Sequence, residues 1–168
     1  MPKVYLGVGS NQGDRYSNCR EALRRLGAFK DIRVIRVSSA YETEPVGGAF
    51  GGWFINAVVE AETDLDPLLL LRNLRRIEEE MGRSGQTITP DRPIDLDLLF
   101  YGDLLLESET LTIPHPRLHQ RRFVLEPLCE LASELVHPRL GKTAKALLAD
   151  LQDSHRVRRM NEPLWGSF

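Results

Sequence analysis

Hydrophobic and polar residues alternate with two different periods along the chain, and their order predicts the fold. Four segments show the apolar runs or two-residue alternation typical of strands, at residues 3–9, 32–41, 53–63 and 93–101. Two segments between them have helical spacing and follow a capping aspartate. Asp14 precedes a helix to about residue 26, and Asp66 precedes one to about residue 81. The predicted order is β-α-β-β-α-β.

This order is that of a ferredoxin-like α+β domain, an antiparallel sheet with its helices on one face. Beyond it we predict a short hairpin at 104–112, a Pro-His-Pro loop, and helices at 123–132 and 143–151. Residues 152–168 show no clear period. No linker, repeat or low-complexity segment divides the chain, so we predict one domain over residues 1–168.

The composition is ordinary for a globular protein and argues against several classes of partner. A net charge of −2 and a pI near 6.1 give no overall attraction to nucleic acid or to an anionic membrane. The sequence has no apolar run of transmembrane length and no signal-peptide pattern at its start. Cys19 and Cys129 are far apart and are expected to be free thiols in a reducing compartment. We therefore expect a cytoplasmic monomer that binds neither nucleic acid nor membrane.

Asp95 and Asp97, in the last long strand, are the strongest candidates for chemistry. Alternation puts both carboxylates on one strand face, roughly 6.5–7 Å apart, with Leu96 on the other face. An isolated pair would more often be the solvated face of an amphipathic strand. If the pair is partly buried, however, repulsion and desolvation must be offset, and one or two Mg²⁺ ions would do so.

Cationic residues flank this pair along the sequence and favour the magnesium site. Arg83 and Arg92 precede it, and a further group follows it, namely His115, Arg117, Arg121 and Arg122. A cluster of cations opposite two metal-binding carboxylates is what a triphosphate requires. Each arginine alone could be a solvated surface charge, and His115 could equally hold a turn between its two prolines.

Phe54 and Asn56 suggest a flat heteroaromatic substrate. Residues two apart share a strand face, and an asparagine amide offers both a donor and an acceptor to a ring edge such as that of a pterin. Phe54 offers a stacking surface, and Phe123 could supply the other side. The alternative is that these are ordinary core aromatics.

The glycines at the start of the chain imitate a dinucleotide-binding fingerprint. Gly7 and Gly9 have the required spacing, but Gln12 stands where the third glycine would be needed. We therefore interpret Gly7, Gly9 and Gly13 as close-packing and turn residues.

Taken together, these residues resemble the 6-hydroxymethyl-7,8-dihydropterin pyrophosphokinase family of folate biosynthesis. The resemblance covers nearly the whole chain. Its most specific elements are Arg92-x-x-Asp95-Leu96-Asp97 and Pro114-His115 followed by Arg121-x-Phe123-Val124-Leu125-x-Pro127-Leu128. Further matches are Leu6-Gly7-Val8-Gly9-Ser10-Asn11, Ser39-x-Tyr41-x-Thr43-x-Pro45, Phe54-x-Asn56, and Ile77-Glu78 with Gly82-Arg83.

The resemblance implies transfer of the intact terminal pyrophosphoryl group of ATP to the hydroxymethyl oxygen of the dihydropterin, which gives AMP. It implies two Mg²⁺ ions on Asp95 and Asp97, with Arg83 and Arg92 completing the catalytic set. The ATP-binding residues it implies are Glu78, Arg83, Arg92, Thr112, His115 and Arg121. The pterin-binding residues it implies are Thr43, Pro45, Val46, Phe54, Asn56, Asp95 and Phe123. It leaves open whether Asp97 or a metal-bound water takes the hydroxyl proton.

The segment 83–92 departs from the family pattern. Well-known members carry a tryptophan and extra basic residues there, whereas this chain has neither between Arg83 and Arg92. Arg75 also stands where some members have glutamine. We predict a working enzyme whose lid over ATP packs differently.

Three other functions have distinct signatures. A kinase or nucleotidyltransferase acting on another heteroaromatic alcohol would release ADP or pyrophosphate instead of AMP. A ferredoxin-like sensor would bind its ligand and leave ATP unchanged. A nucleic-acid module would need exposed aromatics on its central strands in a motif that this sequence lacks.

Overall fold

The computed structural model describes residues 1–45, 52–82 and 93–165. Val46, Arg83 and Arg92, which the sequence assigns to the site, lie outside the described residues. The same holds for the predicted lid at 83–92.

The predicted helices and strands are present in the predicted order. Their bounds are β1 Lys3–Ser10, α1 Arg15–Gly27, β2 Ile32–Val37, β3 Tyr41–Thr43, β4 Phe54–Thr63, α2 Pro67–Glu80, β5 Asp95–Tyr101, β6 Leu106–Glu107, β7 Thr112–Ile113, a 3-10 helix Leu118–Gln120, α3 Arg122–Ala132, α4 Ala144–Asp150 and β8 Val157–Arg159.

Two aspartates start the first two helices, as predicted. The Asp14 carboxylate accepts a hydrogen bond from the Ser17 amide at 3.0 Å, and Asp66 accepts one from the Leu69 amide at 3.0 Å. Each bond satisfies an amide that the first helical turn leaves without a partner.

The segment predicted as one strand over 32–41 forms two strands, β2 and β3. At the junction, the Val58 amide donates to the Ser38 hydroxyl at 2.9 Å, while the Ser38 amide donates to the Val58 carbonyl. The Ser38 hydroxyl thus accepts the hydrogen bond that a backbone carbonyl would otherwise accept. The chain can therefore leave its pairing with β4 after β2 and resume it at β3.

In the described residues the main sheet has six strands, and their order confirms the ferredoxin-like class. The strands lie in the order β5-β1-β4-β3-β8, and β2 also pairs with β4. All these pairings are antiparallel, and β2 and β3 follow one another along the same edge of β4. The pairing of β8 with β3 was not predicted, because three residues with two adjacent arginines carry no strand period.

Helices cover both faces of the sheet, because the C-terminal helices, which the sequence did not place on either face, lie opposite the two helices of the βαββαβ unit. The two helices of the βαββαβ unit do share a face, where Leu6 and Leu96 pack with residues of α1 and α2. α3 and α4 pack on the opposite face against Tyr5, Val58 and Phe100. These residues would otherwise expose a second apolar surface.

α3 covers only half of its face of the sheet, and a bulge in β5 marks the boundary. Leu98 pairs with Leu6 and Phe100 pairs with Tyr5, so Leu99 is an extra residue between them. Leu99 and Phe100 both join the core under α3. Beyond the bulge, the half of this face that carries Asp95 and Asp97 remains open.

Among the described residues, no helix is both long enough and apolar enough to cross a membrane. The two cores lie on either side of one sheet, which fits a single domain, although the assignment over residues 1–168 stays a prediction.

Candidate active site

An open cleft of about 430 Å³ lies on the uncovered half of the α3 face. β1, β4 and β5 form its floor, and β3, the His115 loop and the start of α3 form its walls. It brings together eight residues that the sequence assigned to the site: Thr43, Phe54, Asn56, Asp95, Asp97, His115, Arg121 and Phe123.

Two glycines of β1, Gly7 and Gly9, lie in the middle of the cleft floor. Gly9 lies opposite Asn56 on β4 and opposite Asp95 on β5. A Cβ on Gly9 would come within 2.3 Å of the Asn56 Oδ1 atom, whereas a Cβ on Gly7 would meet Asp97 at an ordinary 3.8 Å. The close-packing interpretation is therefore confirmed for Gly9. Gly13 has a φ of 68° at the turn before α1, as a turn residue requires.

Asp95 and Asp97 share the cleft face of β5, as the alternation predicted, and Leu96 points to the core between α1 and α2. Burial raises the pKa of Asp97 to about 6, and the charge of Asp95 adds to this effect. Arg75 and Arg121 lower the same pKa without cancelling the rise. A cation bound here would relieve this unfavourable negative charge.

The donor chemistry of this pair suits a hard divalent cation such as Mg²⁺, which prefers carboxylate, water and phosphate oxygens. No group of three or more His, Cys, Asp or Glu side chains in the described ranges could hold a metal. Water and phosphate oxygens are ligands that would complete the shell of such an ion.

Glu78 and Arg75 of α2 hold the outer edge of β5 directly behind the aspartates. The Leu96 amide donates to Glu78 Oε2 at 2.9 Å, and the Leu96 carbonyl accepts from Arg75 Nη1 at 2.9 Å. The two side chains also pair with each other at 2.6 Å. They take the place of the neighbouring strand that an edge lacks, and so fix the backbone between Asp95 and Asp97.

Glu78 and Arg75 differ in their access to the cleft. The Glu78 side chain is 2% exposed, and its carboxylate faces the β5 backbone. Its contact with the nucleotide stays a prediction. The Arg75 side chain is 45% exposed and lines the cleft.

His115 is a neutral hydrogen-bond donor at the side of the cleft. Its amide donates to the Leu99 carbonyl at 2.9 Å, which ties the loop to β5. Burial lowers its pKa to about 4, and the charges of Arg121 and Arg117 lower it further. The ring Nδ1 accepts the Arg117 amide at 3.2 Å, so the neutral ring carries its proton on Nε2.

Arg121 supplies the fixed positive charge next to His115. Its guanidinium lies 5.4 Å from the centre of the Phe123 ring, and both residues line the cleft. Burial lowers the pKa of Arg121, but an arginine stays charged at physiological pH. Arg117 and Arg122, which the sequence placed in the same cationic group, do not line the cleft.

The aromatic side of the cleft is built on β3, β4 and the first turn of α3. Asn56 Nδ2 donates to Thr43 Oγ1 at 2.6 Å, which orients the amide over Gly9. Phe54 lies on the same face of β4, and Phe123 enters the cleft from α3.

Sequence reasoning missed some residues of the cleft and assigned others that do not line it. Gly7, Gly9 and Glu44 line it without having been assigned to the site. Two glycines two residues apart within an apolar strand indicate that another group approaches the backbone closely. The sequence could therefore have assigned Gly7 and Gly9 to the site. Pro45 and Thr112 are described but do not line the cleft. Their substrate contacts stay predictions.

A ferredoxin-like sheet with a carboxylate pair, two hydrogen-bond donors suited to phosphate oxygens and an aromatic recess lined by Phe54 and Phe123 defines a candidate nucleotide-dependent transferase. The family model described as 7,8-dihydro-6-hydroxymethylpterin-pyrophosphokinase (HPPK) matches residues 5–133. This chain belongs to that family.

Named relatives agree with this assignment. Folic acid synthesis protein fol1 of Schizosaccharomyces pombe is 46% identical over 135 residues, covering 80% of this chain and 18% of that protein. The 2-amino-4-hydroxy-6-hydroxymethyldihydropteridine pyrophosphokinase of Haemophilus influenzae is 39% identical over 138 residues, covering 82% of this chain and 86% of that protein. This chain therefore spans about a fifth of the two fungal folic acid synthesis proteins it matches, but most of the bacterial one.

A solved structure shows the same fold. Wild-type HPPK-DHPS of Plasmodium falciparum, crystallised with pteroate, superposes with a TM-score of 0.69 at 18% identity. The match covers 88% of this chain and 44% of that chain.

Proposed function

We propose that this chain transfers the pyrophosphoryl group of ATP to the hydroxymethyl group of 6-hydroxymethyl-7,8-dihydropterin in folate biosynthesis. The proposal depends on one observation. A single cleft combines a carboxylate pair and hydrogen-bond donors suited to phosphate with a recess lined by Phe54, Asn56 and Phe123. Membership of the HPPK family and the printed name of the Haemophilus influenzae relative support the same reaction.

The phosphate side of the cleft would hold ATP with two Mg²⁺ ions on Asp95 and Asp97. When bound, the ions neutralise phosphate charge and align the oxygens of the displacement. His115, as a neutral Nε2–H donor, and Arg121, as a planar fork, would bind phosphate oxygens. The family resemblance adds further contacts with ATP, namely Arg83, Arg92, Glu78 and Thr112.

The aromatic side would hold the dihydropterin between Phe54 and Phe123. Asn56 would read the polar edge of the ring, because its bond to Thr43 already fixes the orientation of its amide. The resemblance adds Pro45, Val46 and Asp95 to this side. The hydroxymethyl oxygen would then attack the β-phosphorus in line and lose its proton to Asp97 or to a water molecule. The bond between the β-phosphorus and the bridging oxygen of the α-phosphate would break, and AMP would leave with that oxygen.

We further propose a cytoplasmic monomer with one domain over residues 1–168 and no nucleic-acid partner. The small net charge of −2 supports the last point, because nothing global attracts a polyanion.

The test is to incubate the protein with ATP, Mg²⁺ and the dihydropterin and to separate the adenine nucleotides. We expect AMP only when the pterin is present, and none with Asp95→Ala or Asp97→Ala. Asp103→Ala is the matched control, since it removes an exposed carboxylate from the turn after β5. Formation of ADP would show single-phosphoryl transfer, and unchanged ATP would favour a sensor. Either result would overturn the proposal.

A further inference from the structure

A short segment near the C-terminus, residues 153–159, contacts both walls of the cleft. We call it the tail strap. It runs from the start of α3, through a stretch that precedes β8, to the outer edge of β3. Both ends of this path adjoin residues that line the cleft.

The first anchor is Asp153, which caps the start of α3. Its Oδ2 atom accepts the Arg122 amide at 3.2 Å, and its backbone carbonyl accepts from the Arg122 guanidinium at 3.3 Å. Burial alone would raise the pKa of Asp153, but hydrogen bonds from His155 and Arg122 outweigh it and lower the pKa. Asp153 is therefore a charged cap, and Arg122 lies between the cleft residues Arg121 and Phe123.

The second anchor is Arg156, which is bonded to the opposite wall. The Glu44 amide donates to the Arg156 carbonyl at 3.0 Å, and the Arg156 amide and Nε donate to Glu44 Oε2 at 3.1 Å. The Arg156 guanidinium also lies 5.0 Å from the centre of the Trp53 ring. The next residue, Val157, pairs with Thr43. Thr43 and Glu44 both line the cleft.

The two anchors are close together in sequence, which restricts how far the walls can separate. Three residue steps of extended chain span at most about 10 Å. Asp153 and Arg156 therefore link the start of α3 to β3 through a tether that is at most about 10 Å long. The walls joined in this way carry Phe123 on one side, and Thr43 with its partner Asn56 on the other.

We propose that the tail strap positions the acceptor substrate, with Asp153 and Arg156 as positioning residues that set the width of the aromatic recess. This inference rests on the proposed function, because it concerns the affinity of the same cleft for the dihydropterin. Neither strap anchor lines the cleft itself; Asp153 bonds to Arg122 beside Phe123, and Arg156 bonds to Glu44 beside Thr43. A loosened strap should therefore weaken pterin binding more than ATP binding.

The kinetic test compares Asp153→Ala and Arg156→Ala with Arg158→Ala. Arg158 is the matched control because it lies on the same segment, has a side chain as exposed as that of Arg156 (69% against 75%), and pairs with Glu42, which does not line the cleft. We expect Asp153→Ala to raise the KM for the dihydropterin about tenfold and Arg156→Ala to raise it about threefold, because the main-chain bonds of Arg156 to Glu44 remain; the KM for ATP should stay within about twofold in both. We expect Arg158→Ala to change neither value.

Asp153→Asn separates positioning from charge. An asparagine oxygen can still accept the Arg122 amide, so this variant should retain most of the pterin affinity. A pterin KM that stays at the wild-type value in both alanine anchor variants would overturn the proposal. So would an equal rise in the two KM values, since a general loss of structure predicts that pattern.

Amide hydrogen exchange tests the tether without relying on activity. Asp153→Ala should speed exchange at Glu44, on the far wall, about tenfold, and Arg156→Ala should speed exchange at Val124 in α3 by about threefold, since its main-chain bonds to Glu44 remain. A purely local role for each anchor would loosen only its own wall, and that result would overturn the proposal. If the wild type forms no AMP, the proposed function fails, whereas the exchange measurement still decides whether the strap couples the walls.

Discussion

Replacing Gly9 with alanine is the sharpest test of how the cleft floor is built. The added Cβ would lie 2.3 Å from Asn56 Oδ1, far inside van der Waals contact. The asparagine amide cannot swing away freely, because its Nδ2 atom is bonded to Thr43 Oγ1 at 2.6 Å. Gly9→Ala must therefore either strain the sheet or break that bond.

The expected cost follows from these contacts. Inserting a methyl group into a packed site costs about 1–3 kcal/mol, and loss of the Asn56–Thr43 bond adds about 1 kcal/mol. We therefore expect Gly9→Ala to lower the free energy of unfolding by about 2–4 kcal/mol. Gly7→Ala is the control on the same strand face, because its Cβ meets Asp97 and Leu99 at an ordinary 3.8 Å.

A double-mutant cycle with Asn56→Ala identifies the source of that cost. Without the Asn56 amide the added methyl group meets no close atom of that side chain, so Gly9→Ala should cost less than about 1 kcal/mol in the Asn56→Ala background. Urea unfolding of the four proteins gives the coupling energy. An equal cost of Gly9→Ala in both backgrounds would refute the reasoning, because the clash would then lie elsewhere. In the kinetic assay Gly9→Ala should also raise the KM for the dihydropterin, since it displaces the amide that reads the ring.

Three further substitutions test other parts of the site and the core. Glu78→Ala should destabilise the fold by about 2–3 kcal/mol in urea unfolding, because it leaves the β5 edge without its partner. Glu60→Gln should reduce the decrease in the free energy of unfolding that accompanies a fall in pH. Burial raises the Glu60 pKa, but its ion pair and hydrogen bonds outweigh that effect and lower it, so its contribution is lost as pH falls below about 4.3. Arg121→Lys should raise the KM for ATP about tenfold, because a lysine keeps the charge and loses the planar fork.

Each of these predictions has an outcome that contradicts it. Arg76→Ala breaks an exposed helical ion pair and should cost under about 0.5 kcal/mol, so a loss as large as that of Glu78→Ala would contradict the edge role. Unfolding curves of Glu60→Gln that keep the wild-type slope between pH 3 and 5 would exclude Glu60 as a source of the pH dependence. If Arg121→Lys changed the KM for the dihydropterin and left the KM for ATP unchanged, Arg121 would support the Phe123 ring and would not bind phosphate.

The local part of the fold could be predicted because its causes lie within a few residues. Pleating alone places Asp95 and Asp97 on one face, and the structure has them there. Side-chain capping places the starts of α1 and α2 directly after Asp14 and Asp66. The same local reasoning assigned Phe54 and Asn56 to one face of β4.

Local reasoning failed where partners from distant segments override a local pattern. The bulge at Leu99 breaks the alternation of β5, because Phe100 packs under α3 together with Tyr5. The position of α3 and α4 is a similar case, since no local period showed that they cover the second apolar face of the sheet.

The sequence by itself determined the order of the main elements, the common strand face of the carboxylate pair and the family to which the chain belongs. Only the tertiary structure decided that Gly9 makes room for Asn56, that Glu78 bonds to the β5 backbone, and that Arg156 bonds to Glu44 at the edge of the cleft. The physical reason is that side-chain periods are set by local backbone geometry. Contacts between residues 44 and 156 depend instead on how the whole chain packs, which no local period encodes.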